Sequence, residues 1–134
     1  MSTDYRVCVT VIVRHQSTRA DEIASELGWK PFVAWSAGDD RVTPTGTKLS
    51  GSRKDTACTF SFDSDEEDGT PIVAETVKHL LSRRTYVKEL LSSGGTISLS
   101  VGLNGVVHSY VELSPHILRD LSELGIVFGI ECFP

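Results

Sequence analysis

The side chains able to do chemistry fall into a few groups, and each can be held against the spacing its chemistry requires. Asp63-Ser64-Asp65-Glu66-Glu67-Asp68-Gly69 concentrates carboxylates, the hard oxygen ligands that suit calcium. A calcium loop of the EF-hand type opening at Asp63 needs Gly at its sixth position and Glu at its twelfth. This chain has Asp68 and Ala74 there. The run reads instead as a solvated loop whose charge favours the positive end of the helix that follows at Pro71.

Gly46-Thr47-Lys48-Leu49-Ser50-Gly51-Ser52 has the composition of a phosphate loop but not its order. The P-loop places Lys directly after its second glycine, between a strand and a helix, so that backbone N–H groups and ammonium reach the phosphates together. Here Lys48 precedes Gly51. His15, His79, His108 and His116, with Cys8, Cys58 and Cys132, show none of the CxxC or HxxxH pairs by which one turn or helix face presents two ligands. No metal and no cofactor is expected. His79, beside Lys78 in a helical stretch, and His116, in a first helical turn, read as surface residues. Serines are plentiful, but no GxSxG elbow sets one beside a histidine, so no catalytic residue is assigned.

Any site must be positioned by the elements around it. Val7, Val9, Val11 and Val13 alternate with polar residues and predict a strand. Thr18 and Asp21 form a capping-box pattern ahead of a helix through Ile23 and Leu27, closed by Gly28. Trp29 to Trp35, interrupted by Pro31, reads as an edge strand or short extended segment. The polar run 36–55 carries Arg41, Lys48, Arg53 and Lys54, and is expected to be the most mobile internal segment or a loose hairpin. Cys58, Phe60 and Phe62 share one face of the next strand. A helix starts at Thr70-Pro71 and restarts or bends before Val87. Ile97, Leu99, Val101 and Leu103 face one way on a further strand. Asn104-Gly105 then predicts a hairpin into a strand over 106–113. Ser114-Pro115 opens a third helix, Gly125 ends it, and Ile126 to Cys132 alternates as a last strand.

These elements predict one α+β domain over residues 1–134, two-layered, with a mostly antiparallel sheet and about three helices on one face. Ser25-Glu26-Leu27-Gly28 recurs as Ser122-Glu123-Leu124-Gly125, which suggests a ferredoxin-like pseudo-repeat. In order, the Leu27-Gly28 helix end, Pro31, Trp35, Gly38-Asp39, the Val77-Leu80-Leu81 helix, Leu113-Ser114-Pro115 and Leu124-Gly125 resemble the bacterial domain-of-unknown-function family numbered 4279, over nearly the whole chain. The chain departs from that family's usual tryptophan after the polar loop, carrying Ala57, Cys58 and Phe60 there. The resemblance implies an α+β fold and a bacterial origin, and supplies no activity.

Composition sets the remaining expectations. Apolar residues make up 40% and charged residues 23%, as in ordinary globular chains. No apolar run spans a bilayer, Met1 to Tyr5 lacks the features of a leader, and three unpaired cysteines suit a reducing compartment, so the expected location is the cytoplasm. A net charge of −5 argues against general affinity for nucleic acid, which needs basic surface to neutralise phosphates. The expected function is a non-catalytic binding module acting through protein–protein contact, one version being a bacterial toxin-immunity-type protein. Its expected contact surface is a strand face carrying Arg6, His108, Tyr110 and Glu112. The alternative is a small-molecule-binding domain or enzyme using the Trp29–Trp35 cluster and the 36–55 loop.

Overall fold

The structure, a computed structural model, describes residues 5–134; the leader reading at Met1–Asp4 lies outside it. Its core is the valine strand. β1 (Val7–His15) lies at the centre of a five-stranded sheet ordered β2-β5-β1-β6-β7, where β2 is Val33–Trp35, β5 Thr56–Ser64, β6 Thr96–Asn104 and β7 Val127–Phe133. β1 runs antiparallel to both β5 and β6, β2 runs antiparallel to β5, and only β7 lies parallel to its neighbour β6. Between β2 and β5 a separate hairpin projects, β3 (Asp40–Val42) with β4 (Lys48–Ser52). The polar run is thus the hairpin that its composition left open.

The helices α1 (Ala20–Leu27), α2 (Thr70–Ser82), α3 (Arg84–Ser92) and α4 (Pro115–Leu124) all cover one face of the sheet. They number four rather than three because the stretch after Thr70 breaks at Arg83. Under them Val7, Val9, Val11, Val13, Phe60, Leu99 and Val101 are wholly buried against Ile23, Leu27, Val73, Leu80 and Val87. Period-two burial from the strands thus meets period-3.6 burial from the helices in one cluster, each large side chain contributing about 1.5–3 kcal/mol.

The strand directions realise the ferredoxin-like expectation. β6, β1, β5 and β2 alternate in direction, and β1–α1–β2 and β5–α2–α3–β6 each cross over an intervening strand. α4 and β7 are an addition beyond that core. The four-residue echo therefore does not mark the two halves of the repeat, because it lies on α1 and α4. It marks a shared helix end: Gly28 and Gly125 close their helices in the left-handed region, at φ 74° and 75°.

Two local expectations are corrected. Asn104-Gly105 does turn the chain, with the Val106 N–H donating to Asn104 Oδ1 at 2.9 Å. No strand follows over 106–113, however, because β6 already has β1 on one side and β7 on the other, leaving no edge for a hairpin partner. Nor does Thr18 cap α1, which starts at Ala20. The Ser17 and Thr18 N–H groups donate to His15 Nδ1 at 3.1 and 3.0 Å, and the Ala20 N–H to Ser36 Oγ at 2.9 Å. The first N–H of α1 is thus satisfied by Ser36, just past β2, and the turn before the helix by His15 at the end of β1.

Candidate functional interface

With every helix on one side, no helix covers the other face of the sheet among the described residues, though Ala57 on that face is buried near Trp35 and Arg53. Alternation sends Thr59, Ser61 and Asp63 of β5, Cys8, Thr10 and Ile12 of β1, Ser98, Ser100 and Gly102 of β6, and Gly129 and Glu131 of β7 to this side. The floor is built of short side chains. Two hollows of about 310 and 180 Å³ lie on it, sharing Tyr5, Cys8 and Thr10, the first walled by Phe32 and the second by Phe133. Gly102 lets the Phe133 ring approach the sheet closely, since a Cβ there would come within 2.8 Å of the ring.

The pairing registers make one row across four strands. Cys8 stands opposite Asp63 on one side and Gly102 on the other, and Gly102 stands opposite Glu131. A carboxylate thus closes each end of the row. Among the described residues neither has a cation within ion-pair reach, whereas Asp21, Asp39, Asp40 and Asp55 all do. Burial, Cys8 and the two carboxylates together push the Tyr5 phenol above its ordinary pKa. Burial likewise pushes up the thiol of Cys8, whose Sγ lies 3.4 Å from Ser61 Oγ.

Arg6, His108, Tyr110 and Glu112 come together, but at the end of the sheet and not on a strand face. The 106–114 segment crosses there as an extended loop and pairs with the loop between β5 and α2. The Gly69 N–H donates to Tyr110 O at 2.8 Å and the Tyr110 N–H to Glu67 O at 2.9 Å. Arg6 Nη1 donates to His108 O at 3.0 Å, His108 Nδ1 contacts Glu67 Oε1, and the His108 and Tyr110 rings lie 5.8 Å apart. The Glu112 N–H donates to Thr70 Oγ1 at 2.8 Å. Asp68, then burial, then Glu67 and Glu112, raise the Tyr110 phenol pKa. The outward alternation of His108, Tyr110 and Glu112 holds without the strand, because Val111 and Leu113 still turn toward the core.

Trp29 and Trp35 serve different sides. Trp29 packs on Phe60 and Phe62 under the helices and borders a cleft of about 420 Å³ with Asp63, Ile72, Glu75, Thr76 and His79. Trp35 faces the bare side, with the Arg53 guanidinium 4.0 Å above its ring. His79, expected on the surface, is stacked on Trp29 and bonds to Leu27 O. Only the fold around Gly28 brings the two rings together. Phe32, in contrast, is 73% exposed. Among the described residues no three His, Cys, Asp or Glu side chains converge on a metal position, and no helix is long and apolar enough to cross a membrane.

Comparison with protein-family models, with curated proteins and with solved structures finds no match to this chain.

Proposed function

We propose that this chain is a non-catalytic binding module that acts by protein–protein contact through its bare sheet face and the adjoining Arg6–Tyr110 loop. One observation carries the reading: a floor of short side chains is ringed by exposed apolar ones. Phe32 is 73%, Val127 65% and Val33 44% exposed. A flat floor with apolar rim residues suits close approach by another chain, and rim aromatics are the residue type that anchors such contacts. The net charge of −5 suits masking of a basic partner, as in an immunity-type protein, and favours fast encounter with one. Membership of the bacterial 4279 family and a cytoplasmic location belong to the same proposal.

The test is site-specific photo-crosslinking in the cells that produce the protein. Thr10 on the bare face, His108 in the loop and Lys78 on the outer side of α2 are each replaced by benzoylphenylalanine. A single discrete adduct from Thr10 or His108, with none from Lys78, is the expected result. Equal adducts from all three positions, or none from any, overturn the reading.

A second reading has its own observation. The Trp29 cleft, at about 420 Å³, falls in the size range of small-molecule pockets, with aromatic walls and Glu75 at its rim. A ligand there would change Trp29 emission on titration, and a Trp29→Phe variant would lose that change.

A further inference from the structure

Resting on the binding-module reading, we infer that the bare face takes a partner segment with two cationic side chains flanking an apolar middle, laid along the row Asp63–Cys8–Gly102–Glu131. The row spans three strand spacings, which places the backbones of its two acidic residues about 14 Å apart. That separation exceeds a Debye length in physiological salt, so one cation cannot serve both ends of the row. Everything between them is uncharged: the Cys8 thiol, Gly102, the Phe133 ring lying on Gly102, and the Tyr5 ring bordering both hollows. The pattern is therefore anionic, apolar, anionic, and the complementary segment is cationic, apolar, cationic.

The spacing selects the segment's form. In an extended chain, residues i and i+4 point to one side and stand about 13 Å apart, close to the span of the row. Residues i and i+2, at about 7 Å, cannot engage both carboxylates. Cys8 and Gly102 are buried beside the Tyr5 and Phe133 rings, so such a strand would lie over those rings, flanked by the short side chains of Thr10, Ser61 and Ser100. The inference thus names the partner's chemistry, Lys or Arg at i and i+4 with an apolar residue at i+2, at one defined place.

Peptide probes test it on the intact chain. The acetylated and amidated peptides Lys-Thr-Leu-Thr-Lys and Glu-Thr-Leu-Thr-Glu, with leucine at i+2 facing the floor, are titrated into ¹⁵N-labelled protein. The basic peptide is expected to shift the amides of Cys8, Thr10, Ser100 and Gly102, and the acidic peptide to shift none. In the double variant Asp63→Asn/Glu131→Gln, affinity is expected to fall roughly tenfold, the size expected for losing two partly exposed charge contacts. The control double variant Glu22→Gln/Glu123→Gln, with the same change in charge on the helical side, keeps the affinity of the parent. Equal binding by the Asp63/Glu131 variant, shifts confined to other surfaces, or no response to the basic peptide overturns the inference. If crosslinking from His108 still captures one partner after such a failure, the binding-module reading stands and this row is removed from it.

Discussion

The imidazole of His79 lies flat on the indole of Trp29, ring centroids 4.4 Å apart and planes 21° from parallel. Its Nε2 is within hydrogen-bond reach of the Leu27 carbonyl, so it ties α2 to the end of α1. His79→Ala removes the stack and the tether together. The expected cost is about 1–3 kcal/mol in chemical denaturation, with Trp29 emission shifting to the red as water reaches the ring. An unchanged midpoint would mean that the stack is decorative.

Gly69 lies where the loop after β5 meets the core. A Cβ there would stand 2.7 Å from Val7 Cγ1 and 2.9 Å from Val111 Cγ2. Both neighbours belong to packed segments that cannot retreat far. Gly69→Ala is expected to destabilise the fold by about 1–3 kcal/mol through overpacking, and to loosen the Gly69–Tyr110 bond. Hydrogen exchange at the Gly69 amide, faster than in the parent, is the measurement that checks it.

The three thiols should separate by reactivity. Cys58 is wholly buried, donates to Ala20 O at 3.8 Å, and has its pKa pushed up to about 11 by burial. Cys8 is also buried, whereas Cys132 is exposed on the edge strand β7. Iodoacetamide at pH 8 should add one label to the native chain, at Cys132, and three under denaturant. The sign for stability follows from the raised pKa. Cys58 favours folding fully below the ordinary thiol value of 9.0, and this contribution is lost as pH rises toward about 11. Denaturant midpoints measured from pH 8 to 11 should fall, and should fall less in Cys58→Ala relative to its own pH 8 value.

Tyr110 is 39% exposed, while its backbone makes both bonds that join the loop to Glu67 and Gly69. Tyr110→Ala keeps those bonds. Its melting temperature should stay close to that of the parent, while affinity for a captured partner weakens by roughly 1 kcal/mol or more if the ring is an anchor. A variant that unfolds would show the ring to be structural instead.

How far these features can be read from the chain depends on how local their causes are. The Val7–Val13 alternation, the Cys58-Phe60-Phe62 face, the Ser114 cap and the two closing glycines each follow from a few adjacent residues, and each appears where expected. Asn104-Gly105 misleads because turn chemistry fixes the bend and not the partner. Whether a strand follows depended on β7, more than 20 residues onward, having taken the free edge of β6. Arg6, His108 and Tyr110 could be grouped by alternation alone, but their placement at the sheet end needed the bonds to Glu67 and Gly69. The row ending in Asp63 and Glu131 has no local signal at all. It exists only through three pairing registers, and neither acidic residue stands out among its neighbours in the chain.

β1 precedes every other element among the described residues and yet lies at the centre of the sheet. During synthesis its valines emerge well before either neighbouring strand, and β6 begins about 80 residues after β1 ends. The chain must therefore close long loops before its most apolar strand finds a partner, which slows folding relative to topologies built from local contacts. Until β5 and β6 arrive, that strand is an open template for other chains and a natural target for a holding chaperone. The order in which the sheet is assembled, rather than its final stability, is where this fold is most exposed to failure in the cell.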